Sequence, residues 1–214
     1  MKRVAVIVGL CALLLSAAAW ADEITLTNKF GTVNVTNAGI VSKGMQLLSY
    51  GPVTAAGLGV ANLGTVSFST GALTSGSILG GGTFAGGAGS SFIVNGAGKW
   101  IEALTGTSNA KVTLFSGSFV GPVQWVLDTA KSGKITKIFE LSGVIRGTFW
   151  DGRTVTGTTT QTITLSTNQW NSDHEGNIGL GTNHLLVPEP GTLGLLGTGL
   201  IGIAGTLRRK MFGV

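Results

Sequence analysis

The chain has 214 residues, 14 of them Lys or Arg and nine Asp or Glu, giving a formal net charge of +5. Five of the basic residues (Lys2, Arg3, Arg208, Arg209 and Lys210) lie at the two ends, so the nine left over balance the nine acids. A neutral body without a basic run or a basic-aromatic stripe excludes a phosphate-tracking surface, and no nucleic-acid partner is expected.

Met1-Lys2-Arg3 is a short basic start, and Val4 to Leu15 is an apolar run of signal-peptide length. Ala19 and Ala21 place small residues three and one before a break, and Asp22-Glu23 follows. This layout predicts a cleaved secretory signal over residues 1–21, with signal peptidase as a partner and Asp22 as the first residue of the exported chain. Leu10 is too large for the position before a lipidated cysteine. Cys11, the single cysteine, therefore leaves with the signal, and the mature chain has neither a disulfide framework nor a thiol nucleophile.

The body, residues 22–187, reads as strands. From Ile24 to Thr36 apolar and Thr/Asn positions alternate, with a break around Lys29 to Gly31, which predicts two strands. Lys43 is followed by no charged residue until Lys99. Within the glycine-rich region 51–98, Gly80-Gly81-Gly82 and Gly86-Gly87 cannot sit in helix interiors without a large entropic cost. Val66, Phe68, Phe84, Phe92, Ile93 and Val94 recur between the glycines, so Gly64 to Gly98 reads as short strands with glycine turns. A low-complexity loop is the alternative. Val112 to Leu127 is one broken strand or a pair, interrupted at Gly121-Pro122 because proline cannot donate to a ladder. A turn follows at Asp128 to Gly133.

Parity fixes the next hairpin. Along Arg153 to Thr167 the even positions from Thr154 to Thr164 are all threonine, while Val155, Gly157, Ile163 and Leu165 are odd. On the preceding strand Phe139, Leu141, Ile145 and Phe149 are odd as well. A two-residue Asp151-Gly152 turn would set odd opposite even. A three-residue loop, Trp150-Asp151-Gly152 with Gly152 left-handed and a bulge, sets odd opposite odd. It thereby gathers the apolar residues on one face and the threonines on the other. The fold class expected is all-β: a sandwich or barrel-like body of short antiparallel strands with glycine-rich turns, flanked by a signal helix and one transmembrane helix.

Candidate chemistry is sparse. Asp173-His174-Glu175, with His184 further on, is the only grouping of possible metal ligands. Neighbours in a strand point to opposite sides, and Asn171, Ser172, Gly176 and Asn177 suggest a polar loop instead. No metal is expected, with weak calcium binding through Asp173 and Glu175 as the residual reading. No Ser-His-Asp order, glycine-flanked nucleophile or phosphate loop is present. Glu102, Asp128, Glu140 and Asp151 read as solvated strand or turn residues, so neither catalysis nor a cofactor is expected. Exposed Trp100, Trp125 or Trp170 would serve a carbohydrate-binding module as stacking platforms. A secreted hydrolase, or a water-ordering (ice-binding) threonine row, ranks below that.

After the body comes Pro188-Glu189-Pro190, then Gly191 to Leu207 without a charge, then Arg208-Arg209-Lys210. An apolar run followed at once by a basic cluster predicts a stop-transfer span over 191–207 with the cluster held in the cytoplasm. Its 17 residues at about 1.5 Å each give roughly 25 Å, short of a hydrocarbon core of about 30 Å. Six of them are glycine, which weakens the helix.

In the order of these three parts, residues 188–214 resemble the PEP-CTERM sorting signal of Gram-negative bacteria. The resemblance covers the tail. It implies handling by an exosortase, a membrane protease-transpeptidase that recognises the prolines, span and basic end, after transient anchoring in the inner membrane. It also implies delivery to the cell surface or to a biofilm matrix of extracellular polysaccharide. Gly64 to Gly71 and Phe115 to Pro122 are similar to stretches of small β-rich proteins with such tails, a likeness that brings no activity with it. The function expected is an exported, non-enzymatic surface or matrix protein with a structural or adhesive role.

Overall fold

The alternating pattern folds as a β-barrel whose wall follows the chain in order. The structure, a computed structural model, describes residues 22–107, 111–166 and 174–187. The first hairpin is long and bent. β1 (Asp22–Lys29) and β2 (Thr32–Thr36) form one arm, broken at Phe30-Gly31, where both residues are left-handed (φ 63° and 93°). β3 (Gly39–Lys43) and β4 (Met45–Tyr50) form the other, broken at left-handed Gly44. The register runs along both arms from Thr36↔Gly39 through Val33↔Ser42 to Leu26↔Tyr50, with one shift between Thr27 and Asn28. The two kinks pack together. A Cβ on Gly31 would lie 2.7 Å from both the Lys43 carbonyl and the Met45 amide, so only glycine lets the arms approach there.

The glycine-rich region is strands, as its apolar clusters predict. After the two-residue β5 (Val53–Thr54) come β6 (Gly64–Ser69), β7 (Leu73–Ser77), β8 (Gly81–Phe84) and β9 (Ser91–Ala97). A helix that the pattern does not announce follows: α1 (Lys99–Thr105), which buries Ile101 and ends on left-handed Gly106. β10 (Lys111–Phe119) and β11 (Val123–Leu127) are the broken strand expected around Gly121-Pro122, and both pair along β12 (Thr136–Phe149).

The three last strands are long. β12, β13 (Thr154–Ser166) and β14 (His174–Val187) have 14, 13 and 14 residues, which corrects the expectation of short strands throughout. β12 pairs β13 with odd opposite odd, Phe139↔Ile163 and Ile145↔Gly157 among them. The connecting loop is the predicted one: the Phe149 N–H donates to the Arg153 carbonyl, the Gly152 N–H to the Phe149 carbonyl, and Gly152 is left-handed at φ 85°.

β4, β6, β9, β10, β12, β13 and β14 pair in that order, each antiparallel to the next. β1 pairs β4 on one side and β14 on the other. Eight strands alternating in direction close with an antiparallel seam between β1 and β14. Closure removes the exposed edges that an open sheet would present. Of the two architectures expected, the barrel is the one formed; β5, β7, β8 and β11 extend the wall.

The interior is packed. Phe68, Phe92, Phe115, Phe119 and Phe149 form a chain of rings with neighbouring centroids 5.8 to 6.4 Å apart. Trp125 lies parallel to Phe139 with centroids at 4.3 Å and edge-on to Phe84 at 6.3 Å. Its Nε1–H donates to the Ile78 carbonyl at 2.7 Å, so its one polar atom is satisfied in the core. Among the described residues, no helix is long and apolar enough to cross a membrane. The signal over 1–21, with Ala19 and Ala21, and the span over 191–207 lie outside them.

Candidate functional site

Two places combine polar chemistry with shape: a cluster inside the barrel and the rim at one of its ends. The cluster sits on the closing seam. β1 contributes Asn28, β13 contributes Thr159 and Gln161, and β14 contributes Asn183, all buried. Asn28 Nδ2 donates to Gln161 Oε1 at 2.8 Å, and Gln161 Nε2 donates to Thr159 Oγ1 at 3.0 Å and Asn183 Oδ1 at 3.1 Å. Asn183 Nδ2 donates to Asn28 Oδ1 at 3.0 Å, and Thr159 Oγ1 to Asn183 Oδ1 at 2.6 Å. Gly181 makes room for this set: a methyl there would collide with Gln161 Oε1 and the Asn28 amide.

Every member of the cluster is neutral, and the Thr159 hydroxyl donates to an amide oxygen, with no base to activate it as a nucleophile. The arrangement suits holding strands in register, since a satisfied buried network is costly to shift by even one residue. The sequence carried a signal for it. Thr159 and Gln161 are odd positions of β13, so the parity that sends Val155 and Ile163 inward sends them inward too.

The rim lies at the end of the barrel where β1 begins and β14 ends. The same end carries the chain from β4 to β6 (residues 51–63), α1, and the Trp150-Asp151-Gly152 loop. Tyr50, the last residue of β4, ties these parts together. Its ring lies 5.8 Å from that of Trp100 on α1. Burial, and secondly the Asp151 carboxylate, push its hydroxyl up to about 12, against the opposing effects of Arg153 and a hydrogen bond with Trp150. Trp100 Nε1–H donates to the Ala97 and Leu63 carbonyls at 2.8 and 3.0 Å. Beside Trp100 runs a groove of about 550 Å³ walled by Leu58, Val60, Asn62 and Lys99. Arg153 and Asp151 pair at 2.6 Å. On the adjoining wall Glu23 of β1 pairs with His184 of β14.

Several residues singled out in the sequence fall elsewhere. Trp125 is not a stacking platform: it is 1% exposed, because it sits opposite Leu141 and so shares that residue's inward face. Trp100 is half-buried, and Trp170 lies outside the described residues. The polar loop expected around Asp173 is also corrected. His174, Glu175, Gly176 and Asn177 open β14 and pair with β2 from His174↔Val35 to Asn177↔Thr32. Glu175 is exposed there, Asp173 lies outside the described residues, and His174 and His184 are ten residues apart on one strand. At about 3.4 Å per residue that is over 30 Å, so they cannot share an ion. Among the described residues no group of three His, Cys, Asp or Glu is placed to hold a metal. The threonine row faces outward, with Thr154, Thr156, Thr158 and Thr160 exposed. The sorting residues Pro188, Glu189 and Pro190 and the cluster Arg208, Arg209 and Lys210 lie outside the described residues.

Compared with known families, the chain carries a PEP-CTERM protein-sorting motif over residues 186–210. The motif implies an exported protein that is the substrate of an exosortase. It begins on Leu186 and Val187, the last two residues of β14, so the matched segment overlaps the end of the closing strand. No curated protein and no solved structure matches the chain.

Proposed function

We propose that the chain is an exported, non-enzymatic surface or extracellular-matrix protein. Its barrel is delivered by exosortase processing and plays a structural or adhesive part in the matrix of extracellular polysaccharide. The observation that carries this reading is the sorting motif abutting the closing strand. A tag fused to the barrel wall, with two prolines to keep the junction extended, suits a cargo released as a finished folded unit. The interior supports the same reading. The polar groups best able to form a site, Asn28, Gln161 and Asn183, are sealed in the core and bonded to one another.

The test is expression of the full chain with and without an exosortase, followed by intact-mass measurement and fractionation of the extracellular material. The expected product lacks residues through Ala21 and everything beyond the Pro188 region, and it partitions with the matrix only when the exosortase is present. A matrix-bound product that retains both ends would overturn the processing scheme. A correctly trimmed product free in the medium would overturn the matrix role alone.

A further inference from the structure

The rim where β1 begins and β14 ends has a composition the barrel does not need. Leu58 and Val60 are 49% and 46% exposed, and Leu186 and Trp150 are 49% and 38% exposed. With half-buried Trp100 and the exposed Lys99 beside them, they mix aliphatic, tryptophan and lysine side chains. Residues of this kind settle at a membrane–water boundary. We propose that, while the sorting tail is still attached, this rim docks on the outer leaflet of the membrane in which the tail is anchored. Leu58, Val60, Trp100 and Trp150 then lie among the lipid headgroups.

The length of the tether carries the argument, which rests on reading 191–207 as the anchor. From Val187 to Gly191 there are four residue steps, about 12–14 Å for an extended proline-containing segment. The headgroup layer takes up roughly 5–8 Å on each side of the hydrocarbon core. Val187 therefore stands less than about 10 Å above the headgroups when the tether is fully drawn out. A span of roughly 25 Å in a core of about 30 Å draws its flanks inward and shortens that distance. Leu186, next to the exit point, and the groove beside Trp100 belong to the end of the barrel so held.

Charge does not compete with this contact. Asp151 is paired with Arg153 and Glu23 with His184, and α1 carries one residue of each sign, Lys99 and Glu102. The rim thus has no strong field of either sign, and docking is driven by apolar burial with little dependence on anionic lipid.

The test uses the exported chain with its tail retained (residues 22–214, without the apolar run 4–15 that could itself hold a vesicle), reconstituted in vesicles of zwitterionic phosphatidylcholine. This chain has no native cysteine, and a nitroxide is placed by Val60→Cys or, at the opposite end between β11 and β12, by Ala130→Cys. Flotation first establishes anchoring. The expected result is a Val60 label several-fold less accessible to a water-soluble relaxant than the Ala130 label. Leu58→Asp in the same protein should return the Val60 label to aqueous accessibility without loss of flotation. A floating chain whose Val60 label is as accessible as the Ala130 label overturns the docking alone. A chain that does not float overturns the anchor reading and the docking with it.

Discussion

Tyr50 offers a direct measurement of the rim, because it is the only tyrosine in the chain and every tyrosinate signal belongs to it. Its hydroxyl is raised from an ordinary 10 to about 12, first by burial and then by the Asp151 carboxylate. The fold therefore favours the neutral phenol. The stabilisation is complete below pH 10, the unfolded value, and is lost progressively as pH rises toward 12. A shift of two units corresponds to about 2.7 kcal/mol. The assay is the ultraviolet absorbance of tyrosinate across an alkaline titration, repeated in denaturant, with the unfolding midpoint followed over the same range. The native titration should centre near 12 and the denatured one near 10. Denaturant resistance should fall between those values in the native chain, and Tyr50→Phe should abolish the part of the fall that comes from this group. Because burial is the larger cause, Trp100→Ala, which uncovers the ring, should move the midpoint further down than Asp151→Asn. A native midpoint near 10, or a larger effect of Asp151→Asn than of Trp100→Ala, would refute the packing described for this end.

Gln161→Leu removes the centre of the seam network and leaves amide groups of Asn28 and Asn183 buried without their partner. At about 1–3 kcal/mol per orphaned group, chemical denaturation should show a loss of roughly 3 kcal/mol. Gly152→Val places a β-branched side chain in a left-handed turn position and should cost about 1–2 kcal/mol. Amide exchange would then report loosening of the β12–β13 hairpin ahead of the rest, whereas uniform loosening would speak against a local cause. Replacing Arg208, Arg209 and Lys210 together by glutamine removes the residues expected to hold the far end of the tail in the cytoplasm. Uncut chain should then leak to the medium, and unchanged retention and trimming would count against a stop-transfer role.

What the sequence disclosed and what it hid divide along local and distant pairing. The β12–β13 hairpin was legible to the residue, because one left-handed glycine and the parity of Phe139, Ile145, Val155 and Ile163 determine its loop and register. The same parity contained Thr159 and Gln161, but a polar residue on an inward position reads as noise until its partners are known. Those partners, Asn28 and Asn183, are 133 and 22 residues from Gln161. β14 was hidden by its bulge. Between Ile163↔Ile178 and Gln161↔Gly181 it advances three residues while β13 advances two. Its inward positions are therefore even before Gly179 and odd after Leu180, and the alternation cancels over the whole strand. α1 escaped because seven residues make fewer than two turns and bury only Ile101 fully. The sorting tail was legible because its signal lies in the order of three parts along the chain.

The topology and the tag bear on each other through β14. Until that strand is in place, β13 and β1 each present an open edge, and the seam network lacks Asn183. The strand that completes the wall is also the last before the sorting motif, so closure waits for residue 187 to cross the membrane. Its seam contacts join residues 155 apart, as between Asn28 and Asn183, and pairing of such high sequence separation is slow. An open barrel edge exposed during that interval invites pairing with another chain. A tail held at the membrane gives each chain time to close against its own β1 at low local mobility. On the proposed scheme, trimming then frees a barrel in which β1 and β14 are already paired with each other. In that scheme residues 188–190 come within reach of the protease on the outer side only after the last strand has emerged, one residue beyond the wall it completes.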